Sequence, residues 1–222
     1  MFVLKNEITE KLYEIATRKR FYSDHPCILT PEKNQSLQME SLFKKNHSRH
    51  ILELGAGWGE FLVKWMKDNP EDEYVAFEVK GDRIKRILKN ASAMQHRLRI
   101  IPVNFNWFLF DILPENAFDW IIINFPDPWP KKRHWKHRLI DEQFPYRAAS
   151  LLRKNGVIHI ATDYGPYARK ILRNFRRCEL YQSTMENPDY RRANPGFPVT
   201  KFEMITAERI PYFQQWRITC KT

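Results

Sequence analysis

The sequence predicts an α/β fold, a mostly parallel sheet with helices on both faces. Three observations carry that expectation. From His50 onward, short apolar runs alternate with longer amphipathic stretches. A glycine-rich turn, Gly55-Ala56-Gly57-Trp58-Gly59, follows the first apolar run. A later run, Trp120-Ile121-Ile122-Ile123, drives into a loop stiffened by Pro126, Pro128 and Pro130. Alternating strands and helices imply parallel strands joined by helical crossovers. Sheets of this kind bind ligands beyond the carboxyl ends of their strands, where strand order reverses.

Taken in chain order, residues 1–46 read as an N-terminal extension, partly helical and broken at His25-Pro26 and Thr30-Pro31. Residues 47–222 read as one domain. Strands are expected at His50–Leu54, Tyr74–Glu78, Leu98–Val103, Phe118–Asn124, Gly156–Ala161 and Gln214–Cys220. Between them, helices are expected at Glu60–Asp68, Asp82–Met94, Asp141–Arg153 and Tyr164–Arg177. Asn187–Val199, with three prolines and one glycine, is a long loop before the last strand.

Composition narrows the partners. Lys plus Arg number 37 against 26 Asp plus Glu, a formal net charge of +11. The excess clusters at Lys131-Lys132-Arg133, Lys136-His137-Arg138, Arg169–Arg177 and Arg191-Arg192, which favours a polyanionic partner such as a nucleic acid. No apolar stretch approaches the ~20 residues that span a bilayer, and Met1–Arg20 lacks a signal-peptide core. A soluble, cytoplasmic protein with no membrane partner is expected. Cys27, Cys178 and Cys220 are odd in number and far apart, so reduced structural cysteines are expected. His134 and His137 have no third ligand at metal spacing, and no metal is expected. Monomer and homodimer both fit the sequence.

The glycine turn discriminates between cofactors. A dinucleotide fingerprint wants glycine at the first, third and sixth positions, and the sixth here is Glu60. Glycines at the first, third and fifth positions, with the acid Glu53 two residues upstream, are instead the pattern of class I S-adenosylmethionine-dependent methyltransferases. Gly55 and Gly57 let the backbone approach a ligand at a helix N-terminus. Glu78 closes the second strand, where a carboxylate accepts ribose hydroxyls. Asn104 and Phe105 end the third strand, where an adenine would lie.

The most informative stretch is Asn124-Phe125-Pro126-Asp127-Pro128-Trp129-Pro130-Lys131-Lys132-Arg133-His134. Three prolines restrict this loop and the residues before them, holding a carboxylate and an indole beside a dense basic tail. Lys132, Arg133, Lys136 and Arg138 are expected to meet backbone phosphates. Trp129 and Trp135 read equally as base-stacking groups or as packing on the sheet edge.

With these motifs in hand, the chain resembles the bacterial tRNA (guanine-N7)-methyltransferases, over about Ile51 to Glu203. The resemblance rests on Phe125–His134, Ala161-Thr162-Asp163 and Thr200-Lys201-Phe202-Glu203 behind the glycine turn. It implies a Rossmann-like class I methyltransferase fold with a mostly parallel seven-stranded sheet. The implied reaction moves a methyl group from S-adenosyl-L-methionine to N7 of a guanine in the variable loop of tRNA. By the same resemblance, Glu53, Glu78 and Asn104 contact the cofactor, and Asp127 is the acid between cofactor and guanine. Lys131, Asp163 and the Thr200–Glu203 segment bind substrate. Two positions depart from the family pattern: Asn104-Phe105 stands for the usual Asp-Ala, and Met204-Ile205 for Arg-Gly.

The residue types suit that chemistry. Guanine N7 carries a lone pair and no proton near neutral pH, so no general base is required. Acids placed on N1–H and the 2-amino group gain strength as positive charge reaches the purine. Asp127, Asp163 and Glu203 are the expected acceptors, though Asp163 also stands where it would cap the next helix. Two rivals remain on sequence: a methyltransferase acting on an exocyclic base amine through Asn124–Trp129, and a non-catalytic RNA-binding protein on the same fold.

Overall fold

A computed structural model describes residues 24–31, 36–44, 48–194, 196–206 and 208–219. Seven strands form one sheet: β1 (His50–Leu54), β2 (Glu73–Phe77), β3 (Leu98–Ile101), β4 (Phe118–Asn124), β5 (Leu152–Thr162), β6 (Tyr181–Ser183) and β7 (Tyr212–Ile218). Their spatial order is β3-β2-β1-β4-β5-β7-β6. The first five strands pair in parallel, and β7 runs antiparallel to both β5 and β6. The chain therefore builds outward from β1 to β3 and then returns to lay β4 against β1. That reversal opens a crevice above the carboxyl ends of β1 and β4.

The strands are apolar on both sides, as a sheet covered twice requires. Leu52, Val75 and Ile121 point into one buried cluster, while their neighbours Ile51, Tyr74 and Ile122 point into the other. The helices are α1 (Met39–Leu42), α2 (Glu60–Asp68), α3 (Gly81–Asn90), α4 (Phe105–Ile112), α5 (Phe144–Leu151), α6 (Gly165–Arg176) and α7 (Lys201–Ile205). α2 buries Phe61, Leu62, Trp65 and Met66 at the 3.6-residue spacing of one face. Part of the segment ahead of residue 47 is woven into the sheet. Ile28 bridges Ile100 beside β3, covering an edge that would otherwise present unpaired backbone.

Most expected elements form, and their ends shift for local reasons. α3 stops at Asn90, and a 3-10 turn over Ser92–Arg97 continues in place of its last expected turn. α5 starts at Phe144 because the Asp141 carboxylate accepts from the Gln143 and Phe144 amides, making a turn before the helix. Three elements were not expected: α4, α7 and the short strand β6. Cys27 and Cys178 are buried thiols, as anticipated, and Cys220 lies outside the described residues. Among the described residues, no helix is long and apolar enough to cross a membrane, and no His, Cys, Asp or Glu group is arranged to hold a metal.

Candidate active site

The crevice at the strand reversal is a cleft with two arms. One arm runs beneath the glycine turn and α7, past Glu53, Trp58 and Lys201. The other passes Glu78, Asn104 and Phe105 to Asp127 and Trp129. Gly55, Arg83, Asn124 and Phe125 line both.

The turn needs its glycines for different reasons. All three adopt positive φ, +84°, +58° and +82°. A methyl group on Gly57 would meet nothing within 4 Å, which leaves the backbone open to the cleft. One on Gly59 would sit 2.6 Å from Ile87 Cγ1, so this residue is glycine to let α2 pass close to α3.

Glu53 is buried at the end of β1, and Tyr74 Oη donates to it at 2.9 Å. Burial pushes its carboxyl up to about 7, reinforced by the charges of Glu78 and Glu60, against the opposing pull of Tyr74 and the Asn124 amide. Asn124 closes β4, and its Nδ2 is buried with no hydrogen bond of ordinary geometry. It also lines a third cavity, beside His159, Phe197 and Glu203. A buried acid and a buried amide donor without a partner of ordinary geometry, lining one arm of the cleft, fit a cationic ligand with polar atoms of its own. S-adenosylmethionine is such a ligand.

Glu78 ties the turn to β2. Its Oε2 accepts from the Gly57 amide at 2.9 Å, and its Oε1 from the Val79 and Lys80 amides, each at 2.9 Å. Arg83 Nη1 lies 3.5 Å away. Asn104 stands past the end of β3 as the N-cap of α4, its Oδ1 accepting from the Asn106 amide at 3.1 Å. An asparagine ahead of an apolar run is a helix-start signal, so α4 was detectable in sequence. Phe105 packs edge-on against Phe77 and lines the same arm of the cleft.

The proline loop is strained as well as stiff. Phe125 and Trp129 precede prolines with φ of +50° and +40°, a region costly for bulky residues, about 1–3 kcal/mol each. The Phe125 amide donates to Ala161 O at 2.8 Å, and its ring packs 4.7 Å from Phe202. Trp129 stacks on His134 at 5.6 Å. Asp127 is exposed beyond this frame, with no hydrogen bond or ion pair on its carboxylate among the described residues.

Arg138 holds the loop in shape. A 3-10 turn over Lys132–His137 brings it back, so that Nε donates to Pro128 O at 2.7 Å and Nη2 to Trp129 O at 3.2 Å. Its guanidinium lies 4.7 Å from the Trp135 ring and 4.9 Å from the Tyr167 ring. Two of its donors thus serve the chain itself. Lys131, Lys132, Arg133 and Lys136, by contrast, are exposed.

The remaining expected acids are engaged. Asp163 does not cap α6, whose N-cap is Tyr164 without a side-chain bond; its carboxylate pairs with Arg209 Nη1 at 3.1 Å. Thr200 and Glu203 form a capping box on α7, Thr200 Oγ1 accepting from the Glu203 amide at 3.1 Å and Glu203 Oε2 from the Thr200 amide at 2.8 Å.

Strand order, antiparallel last strand and glycine turn together define a class I S-adenosylmethionine-dependent methyltransferase. Two solved structures share the fold: TrmN from Thermus thermophilus (TM-score 0.55, 16% identity, 77% of this chain and 44% of that one), and the 16S rRNA methyltransferase KamB (0.55, 12%, 82% and 91%). Residues 47–209 match a family model described as "Putative methyltransferase". A tRNA (guanine-N(7)-)-methyltransferase of Leptospira interrogans is 38% identical over 200 residues, 89% of this chain and 89% of that protein. One from Nitrosomonas europaea is 36% identical over 192 residues, 85% and 83%. The chain belongs to the tRNA (guanine-N7)-methyltransferase family.

Proposed function

We propose that the protein transfers a methyl group from S-adenosyl-L-methionine to N7 of a guanine in the variable loop of tRNA, in the cytoplasm. The observation that carries this reading is a cleft with the buried acid Glu53 in one arm and the exposed acid Asp127, on a strained loop, in the other, beside exposed cations. Glu53, Glu78, Asn104, Phe105 and the glycine turn would hold the cofactor. Bound there, it supplies a methyl group on a cationic sulfur.

The chain's own residues then have three tasks. Nothing need remove a proton from N7, so the first task is alignment of the base. Asp127 accepts from the guanine edge, and that contact strengthens as the purine gains positive charge. It suits this role better than Asp163 or Glu203, because those two carboxylates already serve Arg209 and the α7 cap. Arg138 keeps Asp127 in place by gripping the two carbonyls that follow it. Last, Lys131, Lys132, Arg133 and Lys136 bind tRNA phosphates, giving affinity without base selectivity.

Transfer of labelled methyl groups to tRNA transcripts tests the reading. A transcript with 7-deazaguanine at the target position, which lacks the accepting nitrogen, should take up no label, whereas the guanine transcript should. Equal labelling of both would refute N7 as the acceptor and favour an exocyclic amine.

A further inference from the structure

We propose that the outer face of α6, centred on Arg169, Arg173 and Arg177, is a second RNA-binding surface for a part of the tRNA remote from the target guanine. The inference rests on the proposed function and extends it away from the cleft. α6 buries Tyr167, Ala168, Ile171, Asn174 and Phe175 on its inner side. Its outer side carries Arg169, Lys170, Arg173 and Arg176, with Arg177 as the C-cap, and the helix holds no acid. At 3.6 residues per turn these cations share an arc of about 120°.

Two acids pair with this arc. Glu142, in the turn ahead of α5, holds Lys170, and Asp189 accepts from Arg176 Nε at 2.8 Å. Arg169, Arg173 and Arg177 are exposed, and among the described residues their guanidinium groups have no hydrogen bond or ion pair. Cations near a helix C-terminus complement the macrodipole, but Arg169 stands in the second turn. Spaced four residues apart, the three arginines also repel one another, which disfavours the helix. Folding therefore does not explain them.

Placement favours RNA. β5 ends at the cleft, so α6 runs back along the sheet and carries its cations down one flank. Arg177 stands about 12 Å beyond Arg169 along the helix axis. The surface continues from the exposed cations of the proline loop, because Arg138 closes that loop against the Tyr167 ring of α6. A folded RNA can engage cleft and flank together. Arginine predominates, and its planar fork matches phosphate oxygens. None of the exposed large apolar residues lies on α6, so the face lacks the anchor that a protein partner would use.

The test compares the wild type with Arg169→Gln/Arg173→Gln/Arg177→Gln and with Arg169→Lys/Arg173→Lys/Arg177→Lys. Filter binding of tRNA across salt concentrations is paired with hydroxyl-radical footprinting of the tRNA backbone. The glutamine variant should bind tRNA at least about tenfold more weakly at ~0.1 M salt, with a log–log slope lower by roughly 2–3. It should lose a protected stretch outside the variable loop and keep the protection around the target guanine. Cofactor affinity and methyl transfer at saturating tRNA should hold. The lysine variant should keep the wild-type slope, because counterion release follows charge. An unchanged slope in the glutamine variant would overturn the proposal and leave the face to an acidic protein. Loss of protection only around the target guanine would overturn it too, as would an equal loss of slope in the lysine variant, which marks a deformed helix. Wild-type protein that bound no tRNA would instead overturn the proposed function itself.

Discussion

Replacing Glu53 by Gln should make the ligand-free protein more stable at high pH while weakening its hold on the cofactor. Burial lifts the Glu53 carboxyl from 4.5 to about 7. Below the lower value the side chain is protonated whether the chain is folded or not, and it adds no pH-dependent term. Between the two values the folded protein keeps a proton that the unfolded chain has released, so stability falls as pH rises. Each pH unit costs about 1.4 kcal/mol, and the full window about 3 kcal/mol, reached above about pH 7. Gln keeps an oxygen for Tyr74 Oη and cannot ionise, so it removes this cost. Urea unfolding of both proteins should show a small difference at about pH 4.5, growing to about 3 kcal/mol in favour of the variant at about pH 8. The protein's large positive charge is common to both and cancels in the comparison. Cofactor binding, measured by calorimetry, should move the opposite way: it strengthens with pH in the wild type as Glu53 ionises, and is weak and pH-independent in the variant. A variant destabilised equally at both pH values would refute the argument, because Glu53 would then act through packing and not through its buried charge.

Three further outcomes are expected. Asp127→Ala should cut single-turnover methyl transfer by at least about a hundredfold, with cofactor affinity changed less than about twofold, as befits an acid that faces the base. Arg138→Lys cannot span both loop carbonyls; turnover should fall about ten- to a hundredfold through misplacement of Asp127, while the salt slope of tRNA binding stays that of wild type. A reduced slope would make Arg138 a phosphate contact after all. Neutralising Lys132, Arg133 and Lys136 together should lower that slope by roughly 2–3, read from filter binding across salt concentrations, and leave cofactor binding alone.

How much of this was legible in the sequence differs from residue to residue. The turn from Glu53 to Gly59 announced itself because glycine spacing encodes backbone conformation directly, and conformation there fixes where a ligand approaches. The parallel core strands were legible for a similar reason: Ile121-Ile122-Ile123 must bury both faces, and only a twice-covered sheet allows it. Other roles were hidden because they depend on contacts distant in the chain. Arg138 sits in a basic run and reads as a phosphate ligand until the 3-10 turn returns it to Pro128 and Trp129. Lys201 meets Trp58 only because α7 folds over the glycine turn. Asp163 reads in sequence as a substrate acceptor that could also cap a helix, yet Arg209, forty-six positions later, pairs with its carboxylate. Two signals were present and carried a second meaning. Thr200-Lys201-Phe202-Glu203 is a capping-box pattern as well as a substrate motif, and Asn104 before an apolar segment is a helix start as well as a cleft residue.

The central claim is that the acid on the proline loop presents a guanine to a bound methyl donor. Mass-spectrometric nucleoside analysis of unmodified tRNA treated with the pure protein and S-adenosylmethionine addresses it most directly. The account predicts 7-methylguanosine as the new nucleoside, formed by the wild type and absent with Asp127→Ala. A different methylated base, or full product from the variant, would contradict it.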